Sequence, residues 1–131
     1  MSDSPSEPTA GRARLILVVE DEIFIALDLV ATLEDGGYRV LGPAGSVALA
    51  LTLLGREHPD AAVLDMNLQG EMATPVARLL REMAVPFVLA SAYGRTELPN
   101  DEALQDVPLL GKPTEARQLL AAVGEMLRDI R

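Results

Sequence analysis

Short aliphatic runs alternate along the chain with segments whose apolar residues recur at helical spacing. The runs are LILVV at 15–19, YRVLG at 38–42, AAVLD at 61–65, PFVLA at 86–90 and VPLLG at 107–111. Continuous apolar runs of this length are typical of strands covered on both faces, and their alternation with helices favours a parallel sheet. The pattern predicts an α/β domain with a doubly wound, five-stranded parallel sheet.

Three of the four connections between strands, and the segment after the last strand, carry an apolar stripe that predicts an amphipathic helix. The fourth connection differs, because between Ser91 and Asp106 only Leu98, Ala103 and Leu104 are available for burial. Any helix there is expected to be short and weakly docked. The predicted stripes are Ile23, Leu27, Val30 and Leu33 before Gly36; Val47, Ala50, Leu51 and Leu54 behind Ser46 as N-cap; Val76, Leu79, Leu80 and Met83; and Ala116, Leu119, Leu120, Val123, Leu127 and Ile130 behind Thr114 as N-cap.

Composition narrows the classes of partner and site. A formal net charge of -9 argues against a nucleic acid or an anionic membrane as the main partner and favours proteins and cations. The absence of cysteine excludes disulfides, thiolate metal sites and a cysteine nucleophile, and it fits a cytoplasmic location. The expected ligands are therefore oxygen-bound cations and other proteins.

The chain divides into a short tail and one domain. Residues 1–13 mix Ser, Pro, Glu and Gly without an apolar block, so we expect a flexible tail rather than a secretory signal. No apolar run approaches the roughly 18 residues that cross a bilayer. Residues 14–131 have the size of a single domain with its own core.

Polar residues follow four of the five predicted strands. Glu20 and Asp21 follow the first, Asp65 the third, Ser91 the fourth and Lys112 the fifth. Each has an ordinary local explanation, as a partner of a helix dipole, a turn residue or a cap. However, an open parallel sheet binds its ligands at the carboxyl ends of its strands, and all four features fall at that end. Adjacent carboxylates there persist only if they are solvated, set against a helix N-terminus or neutralised by a cation.

The segments VVEDE, VLDMN, LASAYG and LLGKP closely resemble the signature segments of bacterial response regulator receiver domains of the CheY-like type. The resemblance extends from about Arg14 to the C-terminus. It implies a flavodoxin-like (βα)5 fold and a role as a phosphoprotein switch rather than an enzyme. Its implied partners are a sensor histidine kinase or phosphotransfer protein, which donates the phosphoryl group, and a downstream protein.

The resemblance also assigns chemical roles to three strand-end residues. Asp65 corresponds to the phosphoacceptor, Lys112 to the cation that meets a phosphoryl oxygen, and Ser91 to the hydroxyl that binds another. A cis peptide between Lys112 and Pro113 is implied as well. Positioning and charge neutralisation are what phosphoryl transfer through a loose transition state requires.

A magnesium site is implied beside the acceptor. Its ligands would be the carboxylates of Glu20, Asp21 and Asp65 and the backbone carbonyl of Asn67. Oxygen ligands and retained waters suit Mg²⁺.

The sequence departs from the common receiver pattern in three places. Leu109 occupies the place in the last strand where most members of the family carry an aromatic switch residue, and Tyr93 is the nearest aromatic. The stretch PFVLASAYG resembles the FATGY signature of a mostly single-domain subfamily. The acceptor loop reads NLQGE, where many members have proline before the glycine.

Three alternatives remain open from the sequence. The domain can act as a phosphate sink for a kinase, or as a pseudo-receiver that is never phosphorylated. A haloacid dehalogenase-type phosphatase also uses a strand-end aspartate, but it needs a second acid two residues later, where this chain has Asn67.

Overall fold

A computed structural model describes residues 13–92 and 94–128. The predicted contribution of Ile130 to the last helix, the side chain of Tyr93 and the first twelve residues of the tail lie outside the described residues. No helix in the described ranges is both long and apolar enough to cross a bilayer.

The described residues form seven strands and four α-helices. The strands are β1 (Leu15–Val19), β2 (Arg39–Ala44), β3 (Ala61–Leu64), β4 (Asn67–Leu68), β5 (Glu71–Met72), β6 (Phe87–Ser91) and β7 (Leu109–Gly111). The helices are α1 (Ile23–Asp35), α2 (Val47–Leu54), α3 (Thr74–Glu82) and α4 (Ala116–Arg128).

Five of the strands form one parallel sheet in the order β2-β1-β3-β6-β7. The register places Leu17 opposite Ala62 and Val63 opposite Val88. The chain moves outward from β1 to β2 and then crosses back to β3, so the strand order reverses between β1 and β3. That reversal is where an open α/β sheet forms its ligand crevice.

The core lies in two layers, one on each face of the sheet. Strand residues such as Leu17 and Leu64 face α2 and α3, whereas Ile16 and Val63 face α1 and α4. All four of these side chains are fully buried. The two layers confirm the doubly wound architecture and explain why the central strands β1 and β3 are apolar at every position.

Helix α1 presents a different face to the core than the one predicted. Its buried residues are Ala26, Leu29 and Leu33, while Ile23 and Leu27 are 58% and 52% exposed. Because residues 23–27 are all apolar, spacing alone does not select which of two adjacent faces packs on the sheet. The predicted stripe through Ile23 and Leu27 is therefore wrong in its first two turns.

The predicted helix caps have mixed outcomes. Ser46 caps α2 through a hydrogen bond that its side chain accepts from the Leu49 N–H at 3.1 Å, as predicted. Helix α4 begins at Ala116, and the Thr114 hydroxyl instead donates to the Gly111 carbonyl at 2.8 Å. Thr114 therefore links the segment after β7 to the last residue of that strand, and its hydroxyl does not make the predicted helix cap.

The fourth connection contains two short 3-10 turns, Arg95–Glu97 and Glu102–Leu104, in place of an α-helix. Arginines of α3 hold it in place. Arg81 donates to the carbonyls of Ala103 and Gln105 at 3.0 and 2.6 Å, and Arg78 lies 2.7 Å from Asp101. The pKa of Asp101 is lowered by a hydrogen bond from the Ala103 N–H and by Arg78. The segment is short, as predicted, but its polar anchoring was not predicted.

Candidate phosphoryl-acceptor site

The backbone of the sheet continues past the strand ends and fixes two of the predicted acids. The Glu20 N–H donates to the Ala44 carbonyl, and the Asp65 N–H donates to the Val19 carbonyl, both at 2.9 Å. Glu20 and Asp65 are 2% and 6% exposed. Both carboxylates therefore begin from rigid backbone at the point where the strand order reverses.

Lys112 reaches across from the end of β7 to both acids. Its Nζ lies 2.8 Å from Glu20 Oε1 and 3.0 Å from Asp65 Oδ2. The peptide bond between Lys112 and Pro113 is cis, as predicted, and a second cis bond precedes Pro43. The structure thus brings together three of the predicted site residues from three different strands.

The remaining carboxylate oxygens accept backbone hydrogen bonds. Glu20 Oε2 accepts from the Glu22 N–H at 3.1 Å, and Asp65 Oδ1 accepts from the Asn67 N–H at 3.2 Å. Glu20 Oε1 is buried and accepts no hydrogen bond within the described residues, so its contact with Lys112 is an ion pair. In this structure the cation that this oxygen contacts is the Lys112 ammonium.

Burial makes the site favour additional positive charge. It raises the pKa of both Glu20 and Asp65 above the usual carboxyl range, and the contacts with Lys112 offset only part of that effect. For Lys112, burial by itself lowers the pKa, but the contacts with Glu20 and Asp65 together outweigh it and raise the pKa. The carboxylates therefore hold extra protons readily and offer strong ligands to a metal ion.

Three carboxylates meet closely enough to share a cation. Oxygens of Glu20, Asp21 and Asp65 lie within 4.8 Å of one another. Two carboxylates at that distance repel by about 3 kcal/mol at an effective dielectric constant near 20. Lys112 balances one of the three charges and leaves two. An all-oxygen set with a buried oxygen that accepts no hydrogen bond fits a divalent cation such as Mg²⁺.

A cavity of about 300 Å³ opens above these acids. Asn67, the predicted carbonyl ligand, lines it together with Asp21 and Asp65. Ser91 is buried at the end of β6 and lines it from the opposite side, beside the small side chain of Ala92. Five of the six residues singled out by the sequence pattern therefore border one space, which Glu22, Gln69 and Gly70 also line. Glu20 is not among the lining residues and joins the site through its contact with Lys112.

Comparison with known proteins shows which proteins the chain resembles. No model of a protein family matches the chain. Among curated proteins, the chain is 26% identical over 127 residues to the transcriptional regulatory protein PdtaR of Mycobacterium tuberculosis. The aligned region covers 94% of this chain and 61% of PdtaR. The chain is 27% identical over 130 residues to the phyllosphere-induced regulator PhyR of Methylorubrum extorquens. The aligned region covers 97% of this chain and 48% of PhyR. The chain thus spans about half to three-fifths of these relatives.

The solved structures give a match over nearly the full length of both chains. A response regulator receiver protein from Sinorhizobium medicae is 31% identical with a TM-score of 0.79, covering 89% of this chain and 96% of that one. The chain belongs to the response regulator receiver family. The receiver domain of PhyR from Erythrobacter litoralis has the same TM-score at 23% identity and supports the fold.

The acceptor loop of this receiver domain forms a hairpin that the sequence pattern did not predict. Strands β4 and β5 pair antiparallel around the two-residue turn Gln69-Gly70, with φ angles of 55° and 89°. The Asn67 side chain accepts a hydrogen bond from the Gly70 N–H at 2.8 Å and closes the turn. Two short strands around a residue pair ending in glycine are a hairpin signal, but strands of two residues are too short to show alternation.

The last strand of this receiver domain carries no aromatic side chain. Leu109 is half-buried in β7 and packs against the core layer that faces α2 and α3. Leu109 therefore offers no ring at the position where most members of the family carry an aromatic switch residue.

Proposed function

We propose that this receiver domain accepts a phosphoryl group on Asp65 from a phosphohistidine of a sensor histidine kinase or phosphotransfer protein. The observation that carries the proposal is a strand-end carboxylate that lies 3.0 Å from a lysine ammonium and borders an open cavity. In the transfer, an Asp65 oxygen forms a bond to phosphorus while the phosphorus–nitrogen bond breaks. The electron pair of that bond remains on the imidazole.

The neighbouring side chains manage the charge of the incoming group. Lys112 meets one phosphoryl oxygen, and the Ser91 hydroxyl binds another. The carboxylates of Glu20, Asp21 and Asp65 would hold Mg²⁺ together with the Asn67 carbonyl. When bound, Mg²⁺ supplies the positive charge that lets a carboxylate approach a phosphate.

The donor protein is proposed to dock on the exposed beginning of α1. Phe24 is 84% exposed, and it lies between two further exposed apolar residues, Ile23 and Leu27. This face follows Asp21 directly in the chain, so a partner packed on it stands at the mouth of the cavity. Exposed apolar side chains grouped in this way are typical of protein contacts.

The output is proposed to be a change in the binding of a downstream protein. PdtaR and PhyR both carry names that describe regulators, which favours a regulatory output over a phosphate sink. Residues 14–131 would form the receiver domain behind a tail of residues 1–13. A cytoplasmic location is part of the proposal, and the cysteine-free composition is compatible with it.

An enzymatic role is not proposed. A phosphatase that uses Asp65 as nucleophile would need an acid at position 67 to protonate the leaving group, and Asn67 cannot serve. The side-chain oxygen of Asn67 also accepts a hydrogen bond from the Gly70 N–H. The domain is therefore a stoichiometric acceptor.

Labelling with a small phosphodonor tests the proposal. Incubation with acetyl phosphate and Mg²⁺ is expected to add one base-labile phosphoryl group, with no addition when the metal is chelated. The Asp65→Asn variant, which keeps the shape of the side chain, is expected to remain unlabelled. Equal labelling of that variant would overturn the assignment, and a wild-type chain that never labels would favour the pseudo-receiver.

A further inference from the structure

We infer that Gln69 positions the water molecule that hydrolyses the acyl phosphate on Asp65, and so sets the lifetime of the phosphorylated state. The inference rests on the proposed function, since it concerns the same acceptor. It adds a role for a residue in the acceptor loop that the sequence pattern did not single out.

Gln69 borders the same cavity as the acceptor. It lines that space together with Asp65, Ser91 and Lys112. Its side chain is exposed and makes no hydrogen bond within the described residues. The cavity is thus bordered by a buried carboxylate and by an exposed residue with a neutral carboxamide, which can accept a hydrogen bond from water that enters the cavity.

The other carboxamide of the cavity is already engaged. Asn67 Oδ1 accepts the Gly70 N–H at 2.8 Å and holds the hairpin turn closed. Reorienting Asn67 toward a water molecule would open that turn. Of the two amide oxygens beside the acceptor, the one on Gln69 is therefore available to accept a hydrogen bond from water.

Gln69 also occupies a backbone conformation that its residue type disfavours. Its φ angle is 55°, and the following Gly70 has a φ angle of 89°. Two-residue hairpin turns with two positive φ angles strongly favour Asn, Asp or Gly at the first position. A long side chain held there at a conformational cost points to a role outside the turn.

The hydrolysis step conserves atoms and charge. Gln69 Oε1 accepts a hydrogen bond from water and directs an oxygen lone pair at phosphorus. The water oxygen bonds to phosphorus as the bond from phosphorus to the Asp65 oxygen breaks, and that electron pair returns to the carboxylate. Both water protons leave with the dihydrogen phosphate product, and Gln69 is unchanged. Glutamine performs this orienting task in other phosphoryl-transfer sites.

Two variants separate the amide from the turn. Gln69→Gly removes the amide and suits the positive φ angle, whereas Gln69→Met keeps the length of the side chain and removes the acceptor oxygen. Each protein is loaded with acetyl phosphate and Mg²⁺, freed of donor, and followed as the label decays. Both variants are expected to lose phosphate about three- to tenfold more slowly, the worth of one net hydrogen bond.

The rate of loading distinguishes this role from a purely structural one. If Gln69 only supported the loop, its replacement would change the rate of loading as well as the rate of decay. Loading from acetyl phosphate involves no attacking water, so both variants are expected to load at the wild-type rate. Decay at the wild-type rate in both variants, or a parallel fall in loading and decay, would overturn the inference. Failure of the proposed function is distinguishable from either result, because the wild-type protein would then acquire no label on Asp65.

Discussion

At the scale of single residues, the site is governed by an excess of negative charge. Lys112 forms ion pairs with Glu20 and Asp65 but leaves the Asp21 carboxylate without a cation within the described residues. The three carboxylates together exceed the one ammonium by two charges. A substitution that removes negative charge from the site is therefore expected to stabilise the metal-free protein and to weaken its binding of Mg²⁺.

Replacing Asp21 with asparagine tests this coupling. The variant is expected to bind Mg²⁺ about tenfold more weakly or worse, because the number of ligand charges sets the affinity of oxygen sites. The same change relieves repulsion, so the metal-free protein is expected to gain about 1 kcal/mol of unfolding free energy. Calorimetric titration measures the first effect and urea denaturation with a chelator the second. Unchanged Mg²⁺ affinity would remove Asp21 from the metal site.

Replacing Lys112 with methionine is expected to act in the opposite direction. The variant leaves Glu20, whose side chain is 0% exposed, and Asp65 without their cation. Removing one partner from a buried ion pair costs roughly 3 kcal/mol of unfolding free energy. Adding Glu20→Gln to the variant is expected to recover part of the loss. A denaturation midpoint that stayed at the wild-type value in Lys112→Met would show that the pair does not stabilise the fold.

At the scale of secondary structure elements, the fourth connection is the segment expected to respond to phosphorylation. Its two 3-10 turns bury only Ala103 and Leu104, and its other anchors are exposed or partly buried arginine contacts. Drawing the Ser91 hydroxyl toward a phosphoryl oxygen pulls directly on the backbone that enters this segment. Leu109 offers no ring to carry the movement along β7.

Amide exchange with and without beryllofluoride, a phosphoryl mimic, measures that response. Residues 94–105 are expected to change their protection more than β7, because few buried apolar contacts resist their rearrangement. Tyr93 is expected to take part, and Tyr93→Ala tests it through signalling output. Changes confined to residues 107–111 would contradict this assignment.

The strands and the site residues could be predicted from the sequence for a common physical reason. A central strand covered on both faces is apolar along its length, and the residue that follows it lies at the ligand edge of the sheet. Glu20, Asp65 and Lys112 were therefore placed correctly without knowing their distances. The pairing of Lys112 with both acids required the structure, since the strand order alone does not give side-chain reach.

Other elements could not be predicted because their determinants are not periodic. Helix α1 begins with five apolar residues, so two faces competed and the one that packs was not identified. The hairpin around Gln69 depends on one side-chain hydrogen bond and one glycine. The anchoring of the fourth connection depends on Arg78 and Arg81, which the pattern of apolar residues leaves out.

At the scale of the whole molecule, an acidic domain presents an apolar face beside its charged cavity. Replacing Phe24 with alanine is expected to slow phosphotransfer from a donor protein and to leave loading from acetyl phosphate unchanged. The side chain is 84% exposed, so unfolding free energy is expected to change by less than about 0.5 kcal/mol. Leu49→Ala on α2, another exposed apolar position, serves as the matched control. Equal transfer rates in the Phe24 and Leu49 variants would place the docking surface elsewhere.

Chemical mapping of the phosphorylated residue tests the central claim most directly. Borohydride reduces an aspartyl phosphate to homoserine, so peptide mass spectrometry of the loaded and reduced protein identifies the acceptor by position. Homoserine is expected at position 65 only, and only in samples loaded with both acetyl phosphate and Mg²⁺. Homoserine at position 21, or none at position 65 in a protein that carries label, would contradict the account.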